Sequence, residues 1–83
     1  MNKPPLRKWD VVIVDRSYRV RRKNSKNAFR RGVVLNHLEG IDCGNWKFSL
    51  NEVSEVIGNA KKNPELLEGF ISKERLLKEM NHE

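Results

Sequence analysis

Eighty-three residues with 37% hydrophobic and 34% charged side chains make a chain of one domain's size, polar but with enough clustered Trp, Phe, Ile, Leu and Val to exclude wholesale disorder. A single cysteine, Cys43, excludes an intramolecular disulfide and a multi-cysteine zinc cage. The net charge of +6 is unevenly spread: residues 1–35 hold eleven Lys or Arg against two acids, and residues 36–83 hold six against nine.

That split points to a polyanionic partner for the first part of the chain, because solubility alone is served as well by interspersed charge. No apolar run approaches the roughly 18 residues that span a bilayer. The start Met1-Asn2-Lys3-Pro4-Pro5 leads into charges rather than into a signal-peptide core. The expected setting is therefore the reducing cytoplasm, without a membrane partner.

In chain order, residues 1–8 combine Pro4 and Pro5 with three cations and no apolar periodicity, which predicts a flexible basic arm. Trp9-Asp10-Val11-Val12-Ile13-Val14-Asp15 is β-branched and bounded by acids, which predicts a buried strand. Tyr18 and Val20 alternate with Arg19 and Arg21, the pattern of a half-buried strand with guanidinium groups outside. Residues 22–27 hold three cations, several turn formers and no apolar side chain, and predict an exposed hairpin tip.

Phe29 to Leu38 predicts a third strand, with Val33 and Leu35 on one side and Val34 on the other, and with Gly32 marking a bulge or a close backbone approach. Residues 39–45 read as a turn-rich connection. Trp46, Phe48 and Leu50 alternate with Lys47 and Ser49 as a fourth strand. The spacing of Leu50, Val53 and Ile57 favours a short helical turn with Asn51 as cap and Gly58 as stop, a strand over 53–57 being the alternative. Residues 58–63 form a polar linker, and Pro64 suits the first turn of a helix. Leu66, Leu67, Phe70, Ile71, Leu76, Leu77 and Met80 give residues 64–81 an amphipathic pattern that fits one helix or two with a break at 69–72.

Enzyme chemistry has little to stand on. His37 and His82 are the only histidines and sit in no nucleophile or metal-ligand spacing, so His37 reads as a surface histidine at a strand end. Cys43 is flanked by Asp42 and Gly44, which do not activate a thiol. Gly40 and Gly44 lack the lysine-serine context of a nucleotide loop, so no cofactor and no metal is implied.

The basic residues carry the functional signal. Arg16, Arg19, Arg21, Arg22, Lys23, Lys26, Arg30 and Arg31 fall on one predicted hairpin, and six of these eight are arginines, suited to forked phosphate contacts. Tyr18, bordering the cationic loop, is the candidate for stacking on an exposed base, whereas Phe29, Trp46 and Phe48 read as core. These residues set the expected contact surface for DNA or RNA.

The order Trp9-Asp10-Val11-Val12-Ile13-Val14, a basic loop, Arg31-Gly32-Val33-Val34-Leu35, then Asn45-Trp46-Lys47-Phe48-Ser49-Leu50 closing on Glu52-Val53-Ser54-Glu55-Val56-Ile57 resembles an SH3-like barrel of the KOW type over residues 9–57. Lys8-Trp9-Asp10 stands where that family carries a glycine, and the first loop is longer and more basic than its pattern. The resemblance implies binding to RNA, DNA or the transcription machinery.

The expected fold is therefore α+β: a small antiparallel SH3-like β-barrel or twisted sheet of about four strands, with a C-terminal helix or helix pair (64–83) packed on it or on a partner. The expected function is non-catalytic, sequence-nonspecific nucleic-acid binding. The alternative is a small phage- or plasmid-type regulator or inhibitor that sets its basic face against an acidic host protein. The apolar face of residues 64–81 also raises the expectation of a homodimer.

Overall fold

The computed structural model describes residues 5–15, 29–43 and 46–83. Five antiparallel strands form one open sheet: β1 (Asp10–Asp15), β2 (Phe29–Val34), β3 (Glu39–Asp42), β4 (Lys47–Ser49) and β5 (Val53–Asn59), in the spatial order β4-β3-β2-β1-β5. A 3-10 turn, Leu50–Glu52, joins β4 to β5, and a second one, Pro64–Leu67, precedes the helix α1 (Lys73–Asn81).

The short link between β4 and β5 dictates the sheet's shape. A flat sheet would hold its two edge strands about 19 Å apart, four spacings of about 4.8 Å. The chain from Ser49 to Val53 reaches at most about 14 Å even when fully extended. The sheet must therefore curl, and it does: Phe48 of one edge and Val53 of the other share a core with Val12, Val14 and Val34. Leu6, Leu50 and Val56 pack against this cluster.

Two glycines make the curl possible. A Cβ on Gly40 would lie 2.5 Å from Cζ of Phe48 and closer still to the Val33 carbonyl, and one on Gly32 would lie 2.8 Å from the same Cζ. The Phe48 ring thus rests directly on the backbone of β2 and β3. Of the two meanings predicted for Gly32, close approach holds, since the β1–β2 register runs without a shift from Val11↔Val33 to Asp15↔Phe29. Register shifts occur instead between β1 and β5, after Val11 and again after Ile13. Such bulges bend a strand and increase its twist, as the curled edge requires.

The opposite face is covered by the C-terminal segment. Trp9, Val11, Val33 and Ile41 pack with Ala60, Leu67, Phe70, Leu76 and Met80. Leu67 and Leu76 are fully buried, and each contributes about 1.5–3 kcal/mol of apolar burial. The apolar face of residues 64–81 that raised the expectation of a homodimer is thus seated on the chain's own sheet; of the segment's large apolar side chains, Ile71 alone remains well exposed. With both faces covered, β1 needs an unbroken apolar run instead of an alternating one.

Several boundaries differ from the expectation. Strand β3 replaces the predicted connection at 39–42, and residues 53–59 are strand, the alternative to the helical turn. The cap of the 3-10 turn is Ser49, whose N–H and Oγ–H both donate to Glu52 Oε1 at 3.0 and 3.2 Å, rather than Asn51. The C-terminal pattern resolves into two elements broken at Gly69, whose φ of +91° is costly for any residue with a Cβ. Residues 5–8 are tied to the fold and do not form a free arm: Leu6 packs on the curled face, and the Arg7 N–H donates to Asp10 Oδ2 at 2.8 Å. Residues 1–4, the predicted strand at 18–21 and the hairpin tip at 22–27 lie outside the described residues.

Candidate nucleic-acid interface

Arg16, Tyr18, Arg19, Arg21, Arg22, Lys23 and Lys26 all lie outside the described residues, in the segment 16–28 between β1 and β2. The residues that flank it, Asp15 and Phe29, are register partners on β1 and β2. Of the 17 Lys and Arg and 11 Asp and Glu, six cations and no acid fall in these thirteen residues, leaving eleven of each sign elsewhere. The formal net charge of +6 therefore resides entirely in this segment.

The other two predicted contact residues, Arg30 and Arg31, are neighbours on β2 with opposite fates. Alternation sends Arg31 to the face of Val33. There its guanidinium donates to the carbonyls of Leu66, at 3.5 Å, and of Glu68, and lies 5.7 Å from the centre of the Phe70 ring. Arg31, expected as a phosphate contact, thus ties the sheet to the C-terminal segment.

Arg30 points to the curled face, with Gly32 and Val34. Its Nε lies 3.7 Å from Oδ2 of Asp42, a carboxylate buried to 1% exposure, while the Arg30 side chain remains one-third exposed. Oδ1 of the same carboxylate accepts the Trp46 N–H at 3.1 Å, and the Asp42 N–H donates to the Trp46 carbonyl at 2.6 Å. One buried carboxylate thus meets both the Arg30 guanidinium and the Trp46 backbone.

Trp46 and Phe29 were both expected in the core, yet they are 59% and 56% exposed, whereas Phe48 is buried as expected. Alternation placed Trp46 in line with Phe48, but β4 begins only at Lys47, and Trp46 lies beyond the sheet's covered area. Phe29 is likewise the first residue of β2, where β3 no longer runs alongside. The signal that the side-chain alternation passed over is position: Phe29 is the first residue of β2 and Trp46 precedes the first residue of β4, so neither lies in a strand interior.

A second cluster of cations lies at the opposite end of β1. Lys8 and Lys61 both pair with the Glu83 carboxylate, the latter at 3.4 Å, and the Trp9 indole N–H donates to it at 2.5 Å. The hydrogen bonds from Lys8 and then Trp9 hold the Glu83 carboxyl well below its usual range, at about 2. This cluster closes the C-terminal helix end onto the start of β1. Trp9 itself sits in a turn at φ +75°, its backbone N–H on the Val34 carbonyl and its own carbonyl accepting from Ala60.

The remaining candidates have ordinary surroundings. His37 is exposed in the β2–β3 turn, which the Asn36 side chain organises by accepting the N–H groups of Leu38 and Glu39 at 2.8 and 3.0 Å. The Cys43 thiol donates to the Gly69 carbonyl at 3.1 Å. Among the described residues no three His, Cys, Asp or Glu side chains are grouped to hold a metal ion, and no helix is long and apolar enough to cross a membrane. No protein-family model matches the chain, and neither a curated protein nor a solved structure matches it.

Proposed function

We propose that this chain is a non-catalytic nucleic-acid-binding module that grips phosphates with the basic segment 16–28 and with Arg30. The observation that carries the reading is the placement of charge: the +6 sits in one thirteen-residue segment of an otherwise neutral chain, flanked by the paired residues Asp15 and Phe29. Charge concentrated in this way creates a local field for a polyanion, which the same charge dispersed over the surface does not. The SH3-like reading is supported by the sheet: antiparallel strands curled until one three-residue turn joins the two edges are what a small barrel of that type needs.

Fluorescence anisotropy of labelled random DNA and RNA, measured at two salt concentrations, tests the proposal. With about five phosphates neutralised, affinity should fall by roughly two to three powers of ten between 50 and 200 mM salt, because each contact releases condensed counterions. Reversing Arg21, Arg22 and Lys23 together to Glu should weaken binding at least about a hundredfold without changing the melting temperature. Absence of binding at low salt overturns the proposal and favours an acidic protein surface as the partner.

A further inference from the structure

The donors that surround Glu83 are carried by backbone that Glu83 does not hold in place. Lys8 and Trp9 lead into β1, and Lys61 follows β5. The two stretches are fastened side by side: the Ala60 N–H donates to the Trp9 carbonyl at 2.8 Å, and the Asn59 amide donates to the Lys8 carbonyl at 3.3 Å and to Asp10 Oδ1 at 2.9 Å. Asn59 Oδ1 in turn accepts the Lys61 N–H at 2.9 Å. Glu83, by contrast, lies past the last residue of α1, where its N–H reaches the Met80 carbonyl at 3.4 Å. Its carboxylate fills the donor set, with Oε1 on Lys8 and Oε2 on the Trp9 indole N–H at 2.5 Å and on Lys61 at 3.4 Å.

Two further observations mark this set as a receptor for an anion. Trp9 is the one non-glycine residue at positive φ among the described residues, at +75°, a backbone conformation that is costly for a bulky side chain and that recurs at ligand clamps. Its ring is buried, yet its N–H is spent on a carboxylate at the surface. Charge is the second observation. Lys8 and Lys61 bring two positive charges to one carboxylate, and Arg7 and Lys62, adjacent to them along the chain, are exposed. One negative charge leaves the set unbalanced, whereas a phosphate monoester carries a charge of about −2 and offers three strong acceptor oxygens to the three donors.

We propose that Lys8, Trp9 and Lys61 form a phosphate-binding site that Glu83 fills as an internal stand-in, so that a phosphate group entering the site unfastens the end of the C-terminal segment. Until it enters, the same donors hold that segment on the sheet. The site lies at the opposite end of β1 from Asp15, and the inference does not rest on the nucleic-acid reading.

Nitrogen-15 NMR of the two indole N–H groups tests the proposal, with Trp46 as the internal control and Trp46→Phe to assign the signals. Glu83→Ala empties the site. At constant ionic strength, inorganic phosphate should then shift the Trp9 signal saturably, with a midpoint on the order of 1 mM, and leave that of Trp46 in place. The parent should need at least about tenfold more phosphate for the same shift, because the carboxylate competes for charge-assisted bonds. Adding Lys61→Ala to Glu83→Ala should raise the midpoint at least about tenfold for the loss of one such bond. Adenosine monophosphate distinguishes the source: tighter binding than inorganic phosphate points to an organic phosphate, equal binding to phosphate itself, and either supports the site. Melting curves give a second reading. Phosphate at about twenty times the midpoint should restore at least half of the melting temperature that Glu83→Ala loses, since a ligand of the folded state stabilises it. The double variant should show no such recovery, which separates the site from the general effect of excluded salts. A Trp9 signal that ignores phosphate in Glu83→Ala, or that moves as far with chloride, overturns the inference.

Discussion

The two faces of the sheet are closed by different means. On the curled face, Phe48 lies on bare backbone at Gly32 and Gly40 and meets Val53 from the far edge, so the sheet seals that side with its own strands. On the other face, a separate stretch of chain must be brought in and fastened, and the fasteners are polar: Arg31 on the carbonyls of Leu66 and Glu68 at one end, and Glu83 among Lys8, Trp9 and Lys61 at the other. The difference teaches where cations are available to a ligand. Arg31, Lys8 and Lys61 are engaged in holding the C-terminal segment, while Arg30 and Trp46 stay partly open to solvent.

Breaking the curled face should have the largest effect. Gly40→Val places methyl groups where the Val33 carbonyl and the Phe48 ring already stand, and neither can retreat without uncurling the sheet. A loss of about 3 kcal/mol or more is expected, at the upper end of overpacking costs, and it would lower the melting temperature by at least about 12 °C. Circular dichroism melts of the variant beside the parent would show it; an unchanged melt would mean that Phe48 does not close this face.

The bolts should yield less. Arg31→Ala removes charge-assisted bonds to two carbonyls and a cation–π contact, an expected loss of about 2 kcal/mol, and Arg31→Lys should recover little, because one ammonium cannot span both acceptors. Affinity for nucleic acid should stay within about threefold of the parent, in contrast to the reversal of Arg21, Arg22 and Lys23. A large drop in affinity at unchanged stability would return Arg31 to the contact surface and erase the distinction between the faces.

The smallest effect should come from the Glu83 cluster and should depend on pH. Because folding lowers this carboxyl from 4.5 to about 2, its stabilisation is complete above 4.5 and is lost as the pH falls from there toward 2. Glu83→Gln should be less stable than the parent at pH 6 and should approach it near pH 2, as read from melts across that interval. A constant difference between the two at all pH values would show that the carboxylate charge contributes nothing to the clamp.

Much of this architecture was legible in the residues. The β-branched run at Val11–Val14, the strand around Phe48 and the Gly69–Ser72 interruption all follow from local side-chain chemistry, because each reflects period, branching or backbone freedom within a few residues. What escaped was set by neighbours distant in sequence. Glu39-Gly40-Ile41-Asp42 reads as a turn because Gly and Asp favour turns. In the fold, Gly40 is small because Phe48 must pass over it, and Asp42 is buried because Arg30 and Trp46 need a shared acceptor. The same logic separates Arg30 from Arg31: a strand sends adjacent side chains to opposite faces, but only the packing of the C-terminal segment makes one of those faces an occupied site.

By itself the sequence determined that the chain is a small α+β unit with its excess positive charge confined to one short stretch, since composition and periodicity are properties of the residues alone. Tertiary structure decided which cations and aromatics are exposed and which are paired, because exposure and pairing depend on what the rest of the chain brings alongside. Arg31 and the Lys8 and Lys61 pair were committed to holding the fold, and Trp46 and Phe29 were left at the surface, by the curl of the sheet and the seat of the C-terminal segment.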